Sequence, residues 1–139
     1  MASLPDVTGR RMQHHLVVAR GTLRLRPGTL ELLGIGQPEG AVTGAALAAV
    51  QAAKSAHLAL PLAPAVVLEH AEWAFDAATG SATMTVQYHG RAVPEAAALA
   101  GAAAGLMALG QAVDHLERGP DGQPAWAVDD LHIVQRTTR

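Results

Sequence analysis

The chain has 139 residues, a net charge of −2 and a pI near 6.4; half of its residues are hydrophobic, yet aromatics make up only 3%. Its arginines are scattered and not interleaved with aromatics, which argues against nucleic acid as a principal partner. Cysteine is absent, so disulfides, thiolate metal sites and a thiol nucleophile are excluded.

The opening Met1–Thr8 reads as a loose arm. Met1–Arg11 contains no apolar segment of the kind a signal peptide needs, so the expectation is a cytoplasmic protein. From His15 to Leu25 the residues alternate, with Val17, Ala19, Gly21, Leu23 and Leu25 on one face, which predicts a strand. Arg26-Pro27-Gly28 is a turn, and Thr29 is placed to cap a short helix over Leu30–Leu33 that Gly34 stops. After the Gly36–Gly40 loop, Ala41–Leu58 predicts a helix in which Leu47, Val50, Lys54 and Leu58 recur at helical spacing among alanines, ended by Pro61 and Pro64.

Ala65–Phe75 alternates again, with Val67, Ala71, Trp73 and Phe75 on one side. Asp76–Ser81 joins it as a hairpin to a strand carrying Met84, Val86 and Tyr88 on one side. Val93–Leu116 predicts a second long helix with Pro94 in its first turn. Its stretch Ala96–Val113 is almost uncharged but built of Ala and Gly, and is read as a buried helix and not a membrane span. A turn-rich loop, Arg118–Pro124, leads to a last strand over Trp126–Gln135.

The order strand, helix, strand, strand, helix, strand is the split-βαβ pattern: an α+β, ferredoxin-like domain, βαββαβ, with a four-stranded antiparallel sheet and both long helices on one face. The whole of 1–139 is expected to form one such domain. Neither long helix has a convincing polar face, so each is expected to be buried on more than one side. Cores of small side chains also bury little area, at about 25 cal/mol per Å². Both points predict a homo-oligomer.

The seven histidines show no H-E-x-x-H spacing, and adjacent His14 and His15 would point to opposite faces of a strand, so no metal or other cofactor is expected. Lys54 is the only lysine, and periodicity alone favours a side chain reaching for the surface. Glu95, in the first turn of the second helix, is accounted for by the helix dipole.

Several segments together resemble the cyclic pyranopterin monophosphate synthase family, molybdenum-cofactor biosynthesis protein C. Asp6-Val7-Thr8-Gly9-Arg10 resembles its D-V-S-x-K stretch, and Leu25–Leu33 its M-x-x-E-T-L-x-x-I segment. Ala52-Ala53-Lys54, followed by Leu60-Pro61-Leu62, resembles A-A-K-R-T-x-x-L-I-P-L-C-H-P. Gly90-Arg91 and Glu95 fit G-K-T-G-V-E-M-E-A-L without a gap, ending on Ala98-Leu99. The matches are short, but their order and spacing agree from Asp6 onward. The resemblance implies hexamers built as trimers of dimers. It also implies conversion of a cyclic dihydroguanosine triphosphate to cyclic pyranopterin monophosphate with release of pyrophosphate.

It further implies a ligand site holding Lys54, Arg91 and Glu95, and here the departures weigh heavily. The C-H-P of the family stands as Ala63-Pro64-Ala65, and the second glutamate of V-E-M-E as Ala97. Y-D-M-C-K falls on Gly110–Asp114, and sliding that helix puts Gln111 at the lysine. The loop lysine before the first long helix falls on Pro38 or Glu39, and the terminal K-S-G-G-K-S-G is absent. The leading expectation is therefore a catalytically degenerate, oligomeric or regulatory homologue, co-assembling with an active relative. The rivals are an active synthase, whose replacement groups His57, His115 or Arg118 would converge with Lys54, and a repurposed small-molecule-binding protein.

Overall fold

The computed structural model describes residues 11–60 and 66–139. The predicted arm at 1–8, and the start of the predicted strand at Ala65, lie outside the described residues. Alternation of small apolar and polar residues makes β1, Gln13–Arg24, whose His15, Val17, Ala19 and Leu23 are buried while their neighbours are not. β2 (His70–Asp76) and β3 (Ser81–Gly90) form the expected hairpin, and β4 (Ala127–Thr138) closes the sheet. The strand order is β2-β3-β1-β4 and all three pairings are antiparallel, the arrangement predicted from the element order.

Register puts Val17 opposite Val86 and Ala19 opposite Met84, and Trp73 opposite Met84 on the other side of β3. These side chains form the sheet's half of the core. The helical half comes from α2 (Ala41–Lys54) and α4 (Glu95–Ala112), which pack along one another over the sheet. A short helix α1 (Pro27–Gly34) follows β1, and a single turn α3 (Ala56–Ala59) follows α2.

The stripe that α2 buries is Ala45, Ala49 and Ala53, whereas Leu47 is 61% exposed. Alanine against glycine lets the two helices approach closely: a Cβ on Gly101 would stand 3.0 Å from the Ala49 carbonyl oxygen. The core is therefore assembled from small side chains at short range. Its largest members are Leu23, Met84, Leu106, Leu109 and Trp73. The outer faces of the helices still carry exposed apolar groups, Leu47 on α2 and Met107 on α4.

Several boundaries differ from the sequence reading. α1 starts at Pro27, with Arg26 as the capping residue, and Thr29 is buried inside it instead of capping it. Proline suits the first helical position because it has no N–H to leave unpaired. The long helix expected over Ala41–Leu58 breaks at Ser55, whose hydroxyl donates to the Gln51 carbonyl at 2.7 Å and competes with the next helical turn. Val66–Glu69 are not strand; Val67 is 84% exposed and β2 begins only at His70. α4 ends at Ala112 and a 3-10 turn, Asp114–Leu116, follows it, while β4 runs on to Thr138. Among the described residues no helix is long and apolar enough to cross a membrane.

Candidate functional site

Lys54 ends α2, and the break at Ser55 starts α3 with His57 a single turn away. Both side chains line one cleft of about 440 Å³, whose other lining residues, among those described, are Val66, Val67 and Leu68. The cleft narrows into a small enclosed space between Lys54 and His57 on one side and Val93, Pro94 and Ala97 on the other. The start of α4 is thus the floor of the Lys54 cleft. Lys54 is exposed and His57 half-buried, so the ammonium stays hydrated while its stem covers apolar surface. At the last residue of α2 a cation also meets the negative end of the helix dipole, which by itself explains a lysine there.

Glu95, the first residue of α4, faces elsewhere. Its Oε1 accepts from Arg136 Nη1 of β4 at 2.5 Å, and the pair borders a separate depression with Ile133, Val134 and Gln135. Arg91 is exposed on the bend after β3 and lines neither depression. The three residues carried by the family resemblance are therefore not gathered in one place within the described chain. Lys54 and Glu95 flank the same first turn of α4 from two sides.

Two of the positions at which the resemblance expected charged groups, Ala97 and Asp114, make structural contacts. Ala97 is buried at 3% exposure against the narrow end of the Lys54 cleft. Asp114 accepts from the Trp126 indole at 3.0 Å and from Arg118 at 2.6 Å, so it ties the end of α4 to the following loop. Ala63, Pro64 and Ala65 lie outside the described residues. Of the three groups proposed as replacements, His57 joins Lys54. His115 sits exposed on the 3-10 turn, and Arg118 is held by Asp114 and by the Gly122 carbonyl.

Arg136 is the residue that sequence reasoning missed. It lies on β4 opposite Val17, on the helix-facing side of the sheet. The β1–β4 ladder carries two register shifts, one between Val18 and Ala19 and one between Arg20 and Thr22. Each shift moves the following side chains to the other face. The two shifts cancel by Arg136, which shares the parity of Val128, but the sequence reading ended the last strand at Gln135, one residue short of it.

Two buried titratable side chains serve the fold. His15, 2% exposed, lies with Nε2 3.1 Å from the Gly90 carbonyl oxygen and Nδ1 3.0 Å from the Thr138 hydroxyl, and its ring stacks on Tyr88. Because a carbonyl only accepts, Nε2 carries the proton and donates to it. Glu117, also 2% exposed, accepts from the Arg26 backbone N–H with both oxygens, at 3.1 and 3.2 Å, where α1 begins. Among the described residues no three histidine, aspartate or glutamate side chains come together as metal ligands.

Comparison with known proteins agrees with the segments quoted above. The family model described as the MoaC family matches residues 4–137. A cyclic pyranopterin monophosphate synthase of Novosphingobium aromaticivorans is 32% identical over 122 residues, covering 85% of this chain and 78% of that protein. A probable cyclic pyranopterin monophosphate synthase of Methanospirillum hungatei is 30% identical over 140 residues, covering 97% and 90%. One from Thermococcus kodakarensis is 27% identical, covering 86% and 80%.

Proposed function

The chain belongs to the MoaC family of molybdenum-cofactor biosynthesis, and from that premise we propose that it keeps the family's scaffold but no longer carries out the family's full conversion. The observation that supports this reading is the separation of the remaining charged groups. Lys54 has His57 as its partner in one cleft, while the Glu95 carboxylate is taken up by Arg136 on the other side of α4. The substrate implied by the family resemblance is a triphosphate carrying about four negative charges, which needs several cations aimed at one place. Proton transfers around a rearranging ring need acids and bases within hydrogen-bond reach, and each such group lost typically lowers the rate ~10²–10⁴-fold.

In this reading the protein acts in the cytoplasm as an oligomeric partner, with Leu47, Met107 and the outer helix faces as the surfaces that neighbouring copies or an active relative would cover. The test is turnover of the cyclic dihydroguanosine triphosphate by purified protein, followed as pyrophosphate release. Release no faster than in a protein-free control is expected. A rate near that of an active family member overturns the proposal. Light scattering checks the assembly, where a monomer at micromolar concentration contradicts it.

A second reading, an active synthase, draws on two specific contacts. His57 stands beside Lys54, and Arg136 beside Glu95, an imidazole and a cation at places the aligned motifs do not supply. If turnover is found, His57→Ala and Arg136→Ala should each reduce it at least tenfold; no reduction in either would leave this reading without its replacement groups.

A further inference from the structure

We propose that the Lys54–His57 cleft binds a small ligand bearing one anionic group on an apolar body, with His57 as a ligand contact alongside Lys54. The inference rests on the reading above, that this cleft no longer serves a triphosphate, and it names what the cleft takes instead.

The cleft is large enough for a small organic molecule, about 440 Å³. Its chemistry is divided. One end holds an ammonium and an imidazole, and the wall beyond them is Val66, Val67 and Leu68. Among the described residues no carboxylate borders the cleft or its narrow end, so none of them neutralises the ammonium in place. A single anionic group resting between Lys54 and His57 would gain a charge-assisted hydrogen bond from the ammonium and a second from the imidazole. The next group along the ligand then meets valine and leucine. An apolar group is favoured there by burial, whereas a second or third phosphate would lose water without gaining a partner. Charge at one end and aliphatic surface at the other thus select an amphiphilic monoanion over a polyanion. Val67, 84% exposed, offers apolar area for a ligand to cover.

Calorimetric titration of the full-length protein tests this with naphthalene-1-sulfonate as the amphiphilic monoanion, 1-naphthalenemethanol as its neutral counterpart, and tripolyphosphate as the polyanion. The sulfonate is expected to bind about tenfold more tightly than either of the others. Lys54→Gln should weaken it about tenfold, and His57→Ala severalfold. Both side chains lie at the surface of the cleft, so both variants should melt at the parental temperature, which a thermal scan confirms alongside. Tighter binding of tripolyphosphate overturns the proposal, as does equal binding of the neutral alcohol or indifference to both substitutions. Binding is read without substrate turnover, so the two proposals fail separately. An inactive protein that prefers tripolyphosphate defeats this one alone, and an active protein defeats the reading it rests on.

Discussion

Gly105 offers a test of how the core is assembled, because two effects of known size oppose one another there. Glycine in the interior of a helix is about 1 kcal/mol less favourable than alanine, so Gly105→Ala gains that much from backbone entropy alone. The added methyl, however, would stand 2.4 Å from Trp73 Nε1 and 2.5 Å from Cε2, about 1 Å inside normal contact. Trp73 is 6% exposed and is hemmed in by the core it shares with Met84 and Leu106, so its ring has nowhere to retreat. Overpacking of this kind costs about 1–3 kcal/mol, and here the rigid indole puts it at the upper end. The net expectation is a loss of about 1–2 kcal/mol.

Gly44, on the exposed side of α2, isolates the first effect: among the described residues, no atom would come within 4 Å of a methyl added there. Gly44→Ala should stabilise by up to about 1 kcal/mol. Urea unfolding of the parent and both variants reads the two numbers directly. With an unfolding entropy near 2.1 cal/mol/K per residue, each kcal/mol also moves Tm by roughly 3–4 °C in a chain of 139 residues. A Gly105→Ala protein as stable as the parent would mean that α4 does not lie against Trp73 as described. A destabilised Gly44→Ala protein would mean that the outer face of α2 is not open, and a neighbouring copy seated there would be the first thing to look for.

Two further expectations concern buried acids. Glu117→Ala removes both acceptors of the Arg26 N–H and should cost about 1.5–3 kcal/mol, while Glu117→Gln, which keeps one acceptor, should cost less; equal losses in denaturant unfolding would show that the hydrogen bonds are not what holds α1 in place. Ala97→Glu returns a carboxylate to a position only 3% exposed and should destabilise by several kcal/mol unless it reaches Lys54. Stability unchanged in Ala97→Glu, without dependence on Lys54 in the double variant with Lys54→Gln, would show that the narrow end of the cleft is open to water.

Much of the fold was legible because strands with one buried face announce themselves. In β1 the alternation from Val17 to Leu23 was enough to set the buried face, and the β2–β3 hairpin followed from Asp76–Ser81 between two alternating runs. The helices were legible as helices but not in their ends. An alanine-rich segment carries little periodic signal, so neither the break at Ser55 nor the burial of Ala45, Ala49 and Ala53 in preference to Leu47 could be read from spacing. The pairing of Glu95 with Arg136 was the least legible feature. It joins residues 41 apart, and Arg136 lies beyond Gln135, where the sequence reading ended the strand; β4 also carries two register shifts, and Asp130 adopts φ 60°. Bulges are set by the competition between neighbouring pairings, and nothing in the composition of Asp129-Asp130 fixes where the extra residue goes.

The same contrast bears on the loss of activity proposed above. The fold is specified redundantly: any one of the buried positions in β1, β3 or α4 could change between similar apolar residues at a cost usually below about 1.5 kcal/mol. The site is specified by a handful of charged groups, and those groups work against stability. A carboxylate at position 97 would have to be desolvated beside α2, and the alanine found there relieves that cost while filling the space against Val93 and Pro94. Likewise Asp114, which takes the lysine position in one of the two registers of the aligned motif, anchors Trp126 and Arg118 just past the end of α4. Under the proposed function each exchange moves a residue from chemistry toward packing. Once turnover is no longer required, such exchanges are favoured one at a time, because each stabilises the fold whether or not the others have occurred. A chain related to synthases along its whole length, yet with Lys54 and Glu95 on opposite sides of one helical turn, is the structure that such a drift would produce.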